Sequence, residues 1–113
     1  MIKAKNLSLI YEDGTLGLMD VNVDIGSGQI VYITGPSGSG KTSLLKLIMG
    51  IEYPTRGQLS VLDQSIKKGE AQNIRKLRRK IGPVFQEFRL IRGRTALENV
   101  ILGMRFLGFN PSE

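Results

Sequence analysis

Hydrophobic and polar positions change rhythm several times along this chain, and each change marks an element. IKAKNLSLIY (2–11) alternates imperfectly and reads as a strand, closed by the turn signal EDG (12–14). LMDVNVDI (18–25) alternates strictly over its second half and puts Val21, Val23 and Ile25 on one face. The turn GSG (26–28) follows, so the N-terminal segment predicts two antiparallel strands with one polar face. QIVYITG (29–35) differs: it is a continuous apolar run rich in β-branched residues, the pattern of a parallel strand buried on both faces. SGSGKTSLLKLIMG (37–50) then turns helical, with Leu44, Leu45, Ile48 and Met49 as the apolar stripe and Gly50 as the stop.

EYPTRG (52–57) reads as a loop and QLSVL (58–62) as a short strand. KKGEAQNIRKLRRK (67–80) predicts a helix whose narrow stripe is Ile74, Leu77 and Ile81. IGPVF (81–85) reads as the next strand. TALENVILGMRFLG (95–108) reads as a helix opened by a capping box of Thr95 and Glu98. Between them VFQEFRLI (84–91) sets Gln86, Glu87 and Arg89 inside an apolar run, which is odd for a strand.

Composition narrows the chemistry. With neither cysteine nor histidine, disulfide staples and histidine catalysis are excluded, and a zinc site would need carboxylates alone. No apolar stretch is long enough to span a bilayer, so the expectation is a soluble, cytoplasmic chain. The net charge of +6 sits largely in IRKLRRK (74–80), which reads as the solvated face of a helix. Without interleaved aromatics or a nucleic-acid motif, no nucleic-acid partner is expected.

GPSGSGKT (35–42) matches the whole pattern G-x-x-x-x-G-K-[ST], between an apolar strand pattern and an amphipathic helix pattern. In such a P-loop, glycines let successive N–H groups point inward at phosphate oxygens, and the helix adds its positive end. Gly35, Pro36, Ser37, Gly38, Ser39, Gly40, Lys41, Thr42 and Ser43 are therefore the candidate nucleotide-binding residues. Lys41 supplies a mobile charge for the β- and γ-phosphates, and the Thr42 hydroxyl is placed for Mg²⁺. The motif specifies a nucleoside triphosphate, ATP or GTP, without specifying the class of enzyme. A metal-binding aspartate is less evident: Asp63, at the end of LSVLD (59–63), follows a run interrupted by Ser60 and reads more simply as a surface strand end. A small P-loop kinase using Asp63 is the competing enzyme class, with RKLRRK as a lid; a fragment that only binds is the competing non-enzyme class.

The order of IYEDG, VNVDIGSGQIVYITGPSGSGKTSLLKLIMGIEYPTRGQLSV, LRRKIGPVFQEFRL and RTALENV closely resembles the nucleotide-binding subunit of ABC transporters over essentially the whole chain. The resemblance implies an α/β fold of the ABC P-loop type, in part: an N-terminal antiparallel β subdomain plus the P-loop strand and helix of the core sheet. It implies that Tyr11 is the aromatic residue stacking on adenine, where the plain alternative is a half-buried strand tyrosine. Gln86 falls on the loop that helps hold Mg²⁺ and orients the attacking water, with Glu87 and Arg89 on the part facing a membrane-embedded partner. GKTS replaces the commoner GKST, and Thr42 still supplies the metal hydroxyl.

The family's signature LSGGQ, its Walker B aspartate–glutamate and its switch histidine have no counterpart in these 113 residues. The chain accordingly reads as the N-terminal half of such a subunit, binding ATP and Mg²⁺ but hydrolytically inactive alone, with exposed faces that promote self-association. GIEYPTRG, LRRKIGPVFQEFRLI and RTALENV most resemble the FtsE-type cell-division subunit, with lipoprotein-release and macrolide-exporter ATPases close to that pattern. The implied setting is peripheral, at the cytoplasmic face of the membrane. The implied partners are an integral-membrane subunit (FtsX-like for the FtsE type) and a second ATPase subunit when full length.

Overall fold

The imperfect alternation of the first strand has a structural cause. In the computed structural model, which describes residues 1–84 and 90–106 (the Phe106 side chain excepted), β1 spans Ile2–Ile10. Its buried apolar positions are Ala4, then Leu7 and Leu9, so their parity shifts from even to odd. Asn6, at φ +49°, stands at the shift, and the register with the neighbouring strand breaks between Ala4 and Leu7. One extra residue in a ladder sends every later side chain to the other face. Asparagine suits the left-handed position, and its N–H finds an acceptor in Asn22 Oδ1 at 3.0 Å.

β2 (Leu16–Ile25) pairs antiparallel with β1 and repeats the device. Asp20 is at φ +48°, with buried Leu18 before it and half-buried Val21, Val23 and Ile25 after it. The Asp20 N–H donates to the buried Ser8 hydroxyl at 3.0 Å. On the other side of β1 lies β3 (Arg56–Val61), followed by β4 (Gln64–Ser65); the sheet order is β2-β1-β3-β4, antiparallel throughout. Leu62 and Asp63 form the two-residue turn between β3 and β4, both at positive φ (49° and 63°), which matches the twist of a tight hairpin.

Two helices close the hydrophobic side of residues 1–81. α1 (Lys41–Ile48) buries Ser43, Leu44 and Leu47, and Leu47 is fully buried. Its apolar stripe differs from the sequence expectation, since Leu45 is 47% exposed. A spacing of three from Leu44 carries the core contact instead of the adjacent pair. The helix ends as predicted at Gly50, φ +72°: the Ile51 N–H donates to the Lys46 carbonyl and the Gly50 N–H to that of Leu47, at 2.9 and 3.1 Å. α2 (Ala71–Arg78) is shorter than expected but packs through the expected residues, Ile74 and Leu77, with Ile81 against the same cluster. Arg75, Lys76, Arg78, Arg79 and Lys80 are all exposed, so the basic run is a solvated helix face, with cations suited to a helix C-terminus.

Residues 82–113 form a second compact unit. Its helix α3 (Ala96–Phe106) is capped by Thr95, whose hydroxyl accepts the Glu98 N–H at 3.1 Å. The reciprocal half of the expected box is not made. Glu98 sits 3.9 Å from Arg94 instead, an exposed pair of little energetic weight.

Two expected strands differ. Residues 29–35 join no sheet among the described residues, and Ile30 and Tyr32 are each 86% exposed. Residues 81–84 form no strand either, and Val84 is exposed, while Phe85 lies outside the described residues. An apolar β-branched run specifies a segment suited to a two-sided sheet. It becomes a strand only when neighbours supply the ladder, and the described residues supply none.

Candidate functional site

The site is built where β1, β2 and α1 meet. Residues 36–39 make a turn in which the Ser39 N–H donates to the Pro36 carbonyl at 3.2 Å. Gly38 and Gly40 follow at φ +84° and +98°, conformations that disfavour a side chain. Gly40 also has no room for one: a Cβ there would lie 2.6 Å from Leu18 Cδ2 and 2.7 Å from the Gly17 carbonyl. This close approach seats the start of α1 on β2. Gly40 is the N-cap and provides no capping side chain, and no acidic residue lies in the first turn. The first-turn N–H groups and the positive helix end are thus available to an anion.

Lys41 folds back over the loop. Its Nζ donates to the Gly35 carbonyl and, at 2.9 Å, to that of Pro36, with Ser39 Oγ at 3.5 Å. A cleft of about 400 Å³ opens beside it, lined by Ser37, Gly38, Gly40, Lys41, Thr42 and Ser43 from the loop and helix. Tyr11, Thr15, Leu16 and Gly17 line the opposite wall. The donor set fits a polyphosphate: backbone N–H groups, one primary ammonium and the exposed Thr42 hydroxyl, which suits a hard cation. A larger concavity of about 600 Å³ lies on the sheet between Lys3, Lys5, Gln58 and Lys67, and it contains none of the loop residues.

Tyr11 directly follows β1 and lines this cleft. Its backbone closes the turn to β2, with the Tyr11 N–H donating to the Thr15 carbonyl at 2.8 Å. Its hydroxyl shares a 2.8 Å hydrogen bond with Ser43 Oγ, and Lys46 Nζ lies over the ring, 5.7 Å from its centre. In the same turn the Asp13 carboxylate accepts the Thr15 N–H at 2.9 Å, and this bond foremost holds its pKa below the usual carboxylate range. Asp13 therefore stays anionic at neutral pH and is no proton donor there.

Gly17, Thr15, Leu16 and Lys46 were not among the sequence candidates. Gly17 had a signal, since a glycine within a strand pattern marks close approach of another group. A Cβ on Gly17 would lie 2.8 Å from Ser43 Oγ and 2.9 Å from Tyr11 Cε2. Gly17→Ala is expected to cost about 1–3 kcal/mol by overpacking, read as a lower urea midpoint at unchanged slope.

Asp63 is not part of this arrangement. It is the exposed second residue of the β3–β4 turn, and the neighbouring Leu62 N–H donates to the Met1 carbonyl at 2.8 Å. The turn thus sits at the start of β1, whereas Tyr11 follows its end, and a nine-residue strand is about 30 Å long. Asp63 is a turn residue tolerating positive φ. Among the described residues no group of three acidic or other metal-ligating side chains comes together. Gln86, Glu87 and Arg89 lie outside the described residues.

A glycine loop opening an uncapped helix, with its lysine bent over it, is the P-loop NTPase fold. The ABC transporter family model matches residues 18–112. A phosphonates import ATP-binding protein of Lactobacillus johnsonii is 37% identical over 112 residues, covering 99% of this chain and 43% of that relative. Its counterpart in Lactococcus lactis is 43% identical over 101 residues, covering 89% and 41%. Among solved structures, a dimeric bacterial ABC transporter cassette superposes with a TM-score of 0.86 at 40% identity, covering 97% of this chain and 49% of that one. A dimeric ATP-binding cassette in a post-hydrolysis state with ADP and phosphate gives 0.85 at 40% identity, covering 95% and 48%. The chain belongs to the ABC transporter family, and it spans about two-fifths to one half of the relatives it matches.

Proposed function

We propose that this chain binds MgATP as part of an ABC-type ATPase that drives an integral-membrane partner. The observation carrying this reading is the uncapped start of α1, with Lys41, Thr42 and Tyr11 in one cleft. Backbone N–H groups of Gly38 and of 40–43, with Lys41, take the phosphates, Thr42 takes the Mg²⁺, and Tyr11 takes the base through its ring face. Bound Mg²⁺ supplies charge neutralisation at the β- and γ-phosphates. For Gln86, which lies outside the described residues, the family resemblance implies a role at the same metal and at the attacking water.

The relatives' names concern phosphonate import, and they favour an importer over the FtsE-type cell-division reading with its FtsX-like partner. Lipoprotein-release and macrolide-type exporters likewise find no support among those names. The kinase reading loses its metal carboxylate with Asp63 in a remote turn. Among the described residues no helix is long and apolar enough to cross a membrane; the peripheral position at the cytoplasmic face rests on the proposed integral-membrane partner. Two such ATPase subunits pair in the complete assembly, as the solved cassettes are dimeric.

These 113 residues contain no LSGGQ, and among the described residues no acid lines the cleft of Lys41 and Thr42, so binding without turnover is expected. Calorimetric titration with MgATP tests binding, and phosphate release tests turnover. Heat of saturable binding with release far below about 1 s⁻¹ is the expected result, and steady release above that rate refutes it. The exposed apolar run at 30–33 also predicts self-association, and a monodisperse monomer by light scattering at tens of micromolar would speak against it.

A further inference from the structure

The sheet has a polar face as well as a core face. Along its strands Lys3, Lys5, Gln58, Ser60 and Ser65 alternate with buried Ala4, Leu59 and Ile66 and so stand on the opposite side. The strand register sets them in two rows. Asp24, Lys3, Ser60 and Ser65 are successive partners across all four strands. Two residues further along β1, Lys5 is opposite Gln58. The Ile66 N–H, donating to the Leu59 carbonyl at 2.9 Å, carries the ladder past β4 and brings Lys67 level with Gln58. The second row is therefore Lys5, Gln58, Lys67: two lysines on strands about 10 Å apart with an amide between them. Lys3 stands about 7 Å from Lys5 along the strand. These residues line the concavity of about 600 Å³, where three lysines face one carboxylate, Asp24.

We infer that this face is a second binding site, for a small molecule carrying a multivalent phosphate group, held over Gln58 between Lys5 and Lys67. The inference rests on charge complementarity. Lysines on neighbouring positions of one face repel each other, and an oxyanion between them turns that repulsion into two charge-assisted hydrogen bonds. The Gln58 amide and the hydroxyls of Ser60 and Ser65 supply neutral donors on the floor. Asp24 lies at the far end of the first row, opposite Lys3, and steers an anion toward the second row. The volume falls within the range of small-ligand sites, about 300–1,000 Å³, and a concave sheet does not follow a planar bilayer surface. The site shares no residue with the cleft of Lys41.

Inorganic pyrophosphate is the probe, titrated by calorimetry into the Lys41→Ala chain so that the loop contributes little. Saturable binding is expected to remain, and to weaken as salt is added. In the same background Lys5→Gln and Lys67→Gln are each expected to lower the remaining affinity about fivefold. Lys68→Gln removes the same charge one position away, outside the lining, and is expected to change affinity less than twofold. Three results overturn the site: no remaining binding, binding insensitive to Lys5→Gln and Lys67→Gln, or equal losses with Lys67→Gln and Lys68→Gln, since diffuse positive charge then suffices. Vesicles of phosphatidic acid in phosphatidylcholine separate a lipid headgroup from a free ligand. Vesicle binding that Lys67→Gln abolishes, with no pyrophosphate binding, overturns the small-molecule assignment.

Discussion

Replacing Lys41 by alanine is expected to weaken MgATP binding about a hundredfold, with little loss of fold stability. The ammonium group lies over the carbonyls of Gly35 and Pro36, so it is already brought to the concave side of the loop. A charge-assisted contact to phosphate is worth about 1.5–3 kcal/mol, and a hundredfold is about 2.7 kcal/mol, so one lysine touching two phosphates accounts for the loss. The carbonyls it leaves are on exposed residues and gain water in exchange. Titration calorimetry and a thermal melt of the same sample test both halves of the expectation. Retained affinity would mean that the loop binds through its backbone alone.

The largest stability effect is expected from Gly57→Ala. Gly57 is at φ +81°, which already costs alanine about 1–2 kcal/mol. The added Cβ would lie 2.1 Å from the Asn6 carbonyl oxygen, 2.5 Å from its carbon and 2.6 Å from the Lys5 carbonyl oxygen. All three atoms are backbone of β1, so no side chain can swing away, and β1 must part from β3 near the Lys5–Gln58 pair. A total above about 3 kcal/mol is a large share of the stability of so short a chain. Gly69→Ala is the internal control: its φ is +94°, but nothing lies within 4 Å of the new Cβ. It should cost the conformational part alone. Similar urea midpoints for the two variants would contradict the β1–β3 register.

Local chemistry made much of this legible. GPSGSGKT located the loop, Gly50 the helix stop, Thr95 the cap, and Ile74 with Leu77 the buried face of α2. Non-local events were not legible. Asn6 and Asp20 are ordinary polar residues in an alternating pattern, and their bulges show only as a change of parity. Leu45 and Leu47 are equivalent by composition, and the sheet beneath α1 decides which is buried. Ser43 belonged to the motif, but its bond to Tyr11, 32 positions away, follows from how β1 lies against α1. The FtsE-type expectation rested on short stretches, and the relatives matched over most of the chain carry phosphonate-import names instead.

The segment 29–35 carries a thermodynamic consequence. It leads without a break into the loop, and its last carbonyl, at Gly35, is one of the acceptors of Lys41. Any chain that pairs with this segment orders the backbone on which the phosphate donors are mounted. Pairing and nucleotide binding then draw on the same ordering free energy, so each raises the affinity of the other by one common factor. On the proposed function, whatever completes the sheet is in this sense expected to act as an effector of nucleotide affinity, and the nucleotide equally as an effector of sheet assembly.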